Sequence, residues 1–435
     1  MNDDANRPPI RVATPFAIPN IRRFLAFRLL FGVRFYYPVF AVLFLDFGLS
    51  VEQFAVLNAV WAATIVLCEV PSGALADALG RRALLVASGA IMVLEIALLC
   101  FVPLGDTRWV FAAFLLNRLL SGLAEALASG ADEALAYDSL KACGRAADWP
   151  QVLAALMRWN SLAFVAALAL GALVYDAAIL TKLVRALGWE VTLAPQTAMR
   201  FPLYLTLVTA VGAWWAALGM TEPGGRPARS GGLLPSILVA SRLTLDAGRW
   251  ILATPLALAV ILGGMLFDHL CRLFVTLNST YFRLIGLPDA SFGLIGAGIA
   301  LLGVAVARLA PALGRRSPPG NFMLLTALCL LGLAGAALVL PFGLGLLPVV
   351  LLHAAMLLTG YLVSHYLNAI TDSSRRATVL SFKGLAFNLG YGALGLLYAG
   401  LLASLRGEPA AESEMAVFRT SLPWLPGYGI IACLL

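Results

Sequence analysis

The feature that most constrains this chain is a succession of apolar runs, each about 20 residues or longer, parted by short turns of Gly, Pro and Arg. A bilayer core of about 30 Å is crossed by about 20 helical residues. In lipid every backbone N–H and C=O must be bonded within the chain, which leaves helices or a closed barrel. Barrel strands would read as alternating segments of about 10 residues, and these runs are longer and more uniformly apolar. Composition agrees: 61% of residues are hydrophobic and 12% charged, against roughly half and a quarter in soluble domains. The chain is expected to be an all-α integral membrane protein with the lipid bilayer as its main solvent.

Twelve spans are predicted, at 22–46, 53–76, 83–104, 109–134, 151–175, 198–220, 251–281, 290–312, 322–341, 344–368, 378–403 and 417–435. The last holds Pro423 and Pro426 and reaches Leu435 without a polar tail, so a short helix or a clipped chain is expected there. Residues 1–21 form a polar tail with no cleavable signal, and the first span is expected to do the targeting. Lys and Arg set the orientation. Eighteen fall on the side of the N-terminus and seven on the other, so both termini are expected in the cytoplasm and the protein in the inner membrane. The net charge of +7 is thus a topology signal; no aromatic-basic cluster suggests nucleic acid.

Between spans six and seven lies the longest connection of that side, 221–249. It opens TEPGGRPARSGG, a flexible linker, and continues LLPSILVASRLTLDAGRW with apolar residues at helical spacing. An amphipathic helix on the membrane face is expected there. The linker divides a first half, 22–220, from a second, 250–435. The halves repeat one another. Gly73–Arg82 reads GALADALGRR and Ala307–Arg316 reads ARLAPALGRR, with Pro311 where Asp77 stands. Asp138-Ser139 likewise maps onto Asp372-Ser373 at the same offset of 234, and Gly48-Leu49…Phe54 onto Gly286-Leu287…Phe292 at 238. Six spans per repeat is an even number, so the repeats are parallel.

Gly73, Asp77, Gly80, Arg81 and Arg82, between spans two and three, resemble the G-x-x-x-D-x-x-G-R-R loop signature of the major facilitator superfamily. Arg118 and Gly122 match a second signature, R-x-x-x-G, in span four. Ala78 departs from the usual basic residue after the Asp. The resemblance covers the whole chain and implies secondary transport, by rocking of two six-helix halves around a midplane site. It also implies that spans one, two, four, five, seven, eight, ten and eleven line the cavity, and that Asp77 meets the N-terminus of span eleven, where a carboxylate is favoured. Gly73 and Gly80 would permit close approach and a tight reversal. Arg81 would reach Asp138, and the cluster would latch the halves on the cytoplasmic side.

An ionisable group at membrane depth is a functional candidate by default. At about 1.5 Å per residue, Arg34 and Arg118 fall near mid-membrane with no acid at equal depth on a neighbouring cavity helix. They are expected to bind substrate or tune coupling. Glu125 could pair with Arg158, and Arg28 with Glu69. Asp268 and Arg272 stand four apart beside His269, either neutralising each other or serving the cavity. Asp268, His269 and His365 are candidate proton sites. His353 reads as packed or hydrogen-bonded, and Glu95, in span three, as a brace. Two Arg in the first half tilt the expected cargo toward an anionic or polar neutral compound.

Other chemistry is not signalled. There is no P-loop, and neither the three His nor the six Cys show metal or catalytic spacing, so no enzyme, cofactor or disulfide is expected. Span five, SLAFVAALALGALVYD, holds Gly171 alone and lacks the Gly/Pro-rich signature of proton-driven drug exporters. The expected function is transport of a small organic molecule by a monomer, with efflux as the favoured direction; the missing signature weakens proton antiport and leaves coupling to protons open. The alternative is a transporter-fold sensor or assembly partner that moves nothing.

Overall fold

A computed structural model describes residues 14–223, 233–371, 373–406 and 413–434, without the side chains of some helical residues, Asp77 among them. The flexible linker stretch 224–232 and Asp372 lie outside the described residues. The described part is helical throughout. In chain order the α-helices are α1 (Pro19–Gly32), α2 (Phe40–Asp46), α3 (Val51–Leu79), α4 (Arg81–Phe101), α5 (Thr107–Ala128), α6 (Ala131–Ala142), α7 (Trp149–Tyr175), α8 (Ala177–Ala186), α9 (Pro195–Ala198) and α10 (Phe201–Gly219). After the linker come α11 (Leu233–Ala253), α12 (Pro255–Thr276), α13 (Asn278–Leu284), α14 (Ser291–Gly314), α15 (Pro318–Ala337), α16 (Phe342–Ile370), α17 (Ser373–Leu405), α18 (Glu414–Ser421) and α19 (Trp424–Leu434).

Eleven helical segments among the described residues are long and apolar enough to cross a membrane. The twelfth expected span is instead two short helices, α18 and α19. Pro423 and Pro426 explain the break, since each removes a backbone donor and crowds the preceding turn.

Two long spans are interrupted. Span one stops at Gly32 and restarts through a 3-10 turn at Tyr37–Val39, because Pro38 cannot continue an α-helix. Backbone groups freed at the break are recovered by α10: the Phe35 N–H donates to Thr206 Oγ1 at 3.0 Å, and the Thr209 hydroxyl donates to the Val33 carbonyl at 3.4 Å. Gly171 brings α7 against the same break, where a Cβ would stand 1.7 Å from the Phe35 carbonyl oxygen. Span four bends at Gly130, whose φ of 74° suits glycine, and continues as α6.

Helices before the linker pack chiefly on one another, as do those after it. The two bundles meet along α3–α17 and α7–α14. Small residues make these contacts close. A Cβ added at Gly392 would touch Ala59 and Ala62, one at Gly395 would touch Ala55 and Ala59, and one at Gly293 would lie 2.1 Å from the Leu168 carbonyl oxygen. The linker helix α11 docks on α3 and α17, burying Ala247 and Ile251 and leaving Leu238, Val239 and Leu245 exposed.

The signature loop is shorter than its sequence suggests. Helix α3 runs through to Leu79, and the reversal is the single residue Gly80, at φ 90°. Gly73 makes no close approach, for a Cβ there would meet nothing within 4 Å. Helix α4 then starts at Arg81, and Glu222 accepts the N–H groups of Arg81 and Arg82 at 3.2 and 2.9 Å. A carboxylate at a helix N-terminus satisfies orphan donors and meets the positive end of the dipole.

Candidate functional site

A cavity of about 510 Å³ lies between the bundles at mid-depth, within the range of small-molecule sites. Spans one, two, four and five contribute Arg34, Asn58, Trp61, Arg118, Glu125 and Phe164; spans seven, eight, ten and eleven contribute Arg272, Asn278, Ala300, His353 and Tyr391.

Arg34 sits at the break in span one and is 4% exposed. Its acid comes from a supporting helix rather than a cavity helix: Nη1 lies 2.7 Å from Glu95 Oε1 on α4, the residue read from the sequence as a brace. Glu95 is fully buried and also accepts from Asn117 Nδ2, through Oε2 at 2.8 Å and through its carbonyl at 3.0 Å. Asn117 Oδ1 in turn accepts from Arg118 Nε and Nη2 at 3.0 and 2.8 Å. Two guanidiniums and one carboxylate are thus strung across three spans. Among the described residues Arg118 has no acidic partner, and its guanidinium rests 5.5 Å from the centroids of Phe40 and Phe44, an attraction between cation and ring face.

In the second bundle Arg272 lies 2.7 Å from Asp268 and donates to Asn388 Oδ1 at 3.0 Å. Arg272 lines the cavity and Asp268 stands behind it, as its counter-ion. His269 faces away from the cavity, toward Tyr428 at 3.2 Å, and His365 is exposed, stacked on Tyr361 beside Gly314. Neither lines the cavity. His353 does, with Nδ1 on the Val349 carbonyl at 2.8 Å and Nε2 3.4 Å from Asn278 Nδ2. Because Nδ1 donates to a carbonyl, the neutral ring presents Nε2 as an acceptor.

Two expected pairs do not form. Arg28 reaches Asp132 at 3.1 Å rather than Glu69, because the bend at Gly130 swings α6 against α1. Glu125 and Arg158 do not pair: Arg158 is exposed on α7, and Glu125 faces the cavity with no hydrogen-bond or ion-pair partner among the described residues. Asn58, Asn117, Asn278 and Tyr391 went unselected in the sequence. Polar residues inside apolar runs were the available signal, and Pro38 marked the break beside them.

The face carrying the N-terminus and the linker, here the linker face, differs from the far face. At the far face, Asp46 at the end of α2 takes a bidentate pair from Arg283 of the second bundle, both bonds 2.7 Å. Tyr175 also donates to Asp46, and Asp289 also binds Arg283. Burial opposes the Arg283 charge, but hydrogen bonds to Asp46 and Asp289 outweigh it and hold its pKa above the ordinary range. Arg406 binds Glu52 and Glu414 at 2.7 and 2.9 Å. Ser279 Oγ accepts the Ala41 and Val42 N–H groups at 3.0 and 3.2 Å, so a residue of one bundle caps a helix of the other.

On the linker face Arg81 pairs with Asp138, as read from the sequence. Both residues belong to the first bundle, as do the Leu218 and Met220 carbonyls that Arg82 bonds. The part of the expected latch that would cross between bundles depends on the Asp77 side chain, outside the described residues. The linker-side half of α7 is exposed at Met157, Arg158, Trp159 and Leu162, whereas its far half buries Ala167, Leu168, Gly171, Ala172 and Tyr175. The packing of α7 on α14 is thus concentrated in its far half, at Leu168 against Gly293 and Gly296.

A sequence model of the Major Facilitator Superfamily matches residues 24–395. No curated protein matches the chain. Among solved structures, the nucleoside transporter NupG is similar at a TM-score of 0.70 and 14% identity, covering 97% of this chain and 97% of its own. A bacterial homologue of the human lysosomal transporter Spinster, in an inward-facing and unoccupied conformation, gives 0.66 at 14% identity over 97% of this chain and 96% of its own. A D-xylose–proton symporter gives 0.65 at 12%, over 96% and 97%. At such identities the likeness is one of fold. The family match is broader in kind, because it runs through both bundles and every span that walls the cavity. The chain belongs to the Major Facilitator Superfamily and is a transporter rather than an enzyme.

Proposed function

We propose that the protein exports a small polar organic molecule across the cytoplasmic membrane by alternating access, with the linker face in the cytoplasm. The observation that carries this reading is the central cavity walled by both bundles, with polar bonds between bundles clustered on the far side of it. Substrate enters from the linker face and contacts Arg118, Arg272 and the amide side chains. The far-face bonds then break as the bundles rock, and the linker face closes. Coupling to protons is part of the proposal, with Glu125 and the Asp268–Arg272 pair as the groups whose charge a proton would change. The solved structures of similar fold, among them a nucleoside transporter and a sugar–proton symporter, support transport as the class of activity. The Lys and Arg bias supports the orientation.

The test is growth inhibition in an efflux-deficient bacterium expressing wild type, Asp77→Asn or Arg118→Ala at matched membrane levels, against toxic anions, cations and neutral compounds. Resistance given by wild type and lost in both variants is the expected result. Sensitisation by wild type would show uptake and reverse the proposed direction.

A further inference from the structure

The charges around the cavity do not cancel locally. Arg272 is neutralised by Asp268, and Arg34 by Glu95. Arg118 remains, 4% exposed, with Nε and Nη2 committed to Asn117 and Nη1 without a hydrogen-bond partner among the described residues. Glu125 also remains, lining the same cavity without an ion-pair partner among the described residues. Lys383 bonds Ser364 at 3.0 Å and does not line the cavity. The cavity wall therefore carries one unspent cation and one unspent anion, both on α5.

Seven residues separate them, so they share one helix face two turns apart, about 10 Å along the axis. A buried guanidinium with free donors is costly unless a ligand or water meets it, and the Glu125 carboxylate, exposed to the same cavity, is open to a cation. An anion would satisfy Arg118 and leave Glu125 bare; a cation would do the reverse. A ligand bearing both charges satisfies both. The two turns between them exceed what an amine and a carboxylate on one carbon can bridge.

We infer that the cavity recognises a zwitterion whose carboxylate and ammonium stand several bonds apart, the carboxylate on Arg118 and the ammonium on Glu125. This rests on the proposed function in taking the cavity as the substrate site. It sharpens the expectation of an anionic or polar neutral cargo to a molecule that is neutral only in sum. Trp61, Phe164 and Tyr391 line the same cavity and give the ligand's carbon chain apolar contact.

The test uses full-length protein in nanodiscs and four probes: ε-aminocaproate, caproate, hexylamine and norleucine, an isomer of the first with both charges on one carbon. A charge-assisted hydrogen bond corresponds to about tenfold or more in affinity. ε-Aminocaproate should bind tighter than each of the others by at least about that factor. Glu125→Gln should remove the advantage of ε-aminocaproate over caproate, with caproate itself binding no weaker than to wild type. Arg118→Gln should bring it down to the level of hexylamine; if that variant does not fold, the Glu125 variant on the cavity surface carries the test alone. Failure of ε-aminocaproate to bind, equal binding of caproate, or a Glu125→Gln variant with unaltered selectivity would overturn the assignment. Equal binding of norleucine would overturn the end-to-end placement. Selective binding without counterflow in proteoliposomes would fault the transport reading alone, and counterflow of caproate without preference for the zwitterion would fault this assignment alone.

Discussion

The two faces of the molecule use charge differently. On the far face, Asp46 and Glu52 of the first bundle hold Arg283 and Arg406 of the second. On the linker face, Arg81, Arg82 and Asn20 hold residues of their own bundle: Asp138, the Leu218 and Met220 carbonyls, Ser139 and Thr221. The first set of bonds must break for the bundles to rock; the second can persist and keep one bundle rigid while it moves. Charges within a bundle should therefore govern stability, and charges between bundles should govern which face is open.

The largest effect on stability should come from the pair that is buried and wholly internal. Glu95→Ala strands Arg34 and unties Asn117, and breaking a buried pair typically costs about 3–5 kcal/mol. Thermal unfolding in detergent should fall markedly, with little change in the accessibility of either face in protein that still folds. Next comes Gly293→Ala, where the added Cβ meets the Leu168 backbone across the bundle interface. Overpacking of this kind costs about 1–3 kcal/mol. The variant should open the far face, read as faster maleimide labelling of a single cysteine placed at Leu49. Unchanged labelling would mean that α7 and α14 are not part of the far-face closure.

Ser279→Ala removes a helix cap that crosses between bundles, worth about 1 kcal/mol. It should shift the same labelling rate in the same direction, by up to about fivefold. The smallest effect on stability belongs to Arg81→Ala. Its pair with Asp138 is about one-third exposed on one side and more on the other, and such pairs contribute about 0–1 kcal/mol, less in salt. A large loss of stability there would contradict the division between the two faces.

Much of the fold was legible because lipid demands it. Run lengths located eleven crossing helices, and the repeated loop revealed the duplication. The Asp268–Arg272 pair followed from a spacing of four on one helix face, and the Arg81–Asp138 pair from the family resemblance, which sets the loop after span two beside the inner end of span four. Glu95 was legible as a brace but its partner was not. Both residues count to mid-membrane depth, but Glu95 stands on a supporting helix, and which face of span three turns toward Arg34 is set by packing between helices rather than by any pattern in span one. The same holds for Arg28, whose partner Asp132 arrives only because span four bends at Gly130. Contacts between bundles, such as Ser279 on α2, depend on how two helical bodies dock, and no local pattern in either segment encodes that.

The central claim is that one cavity serves both faces in turn. Ala300 lines it at mid-depth on α14 and is exposed to it. With the six native cysteines replaced, Ala300→Cys can be challenged in sealed vesicles by a membrane-impermeant thiol reagent added to one side at a time. The account predicts labelling from the linker face, labelling also from the far face, and a rise in far-face labelling when Arg283→Ala and Ser279→Ala are combined. Labelling from the linker face alone, unmoved by those substitutions, would show a cavity that never changes sides and would contradict alternating access.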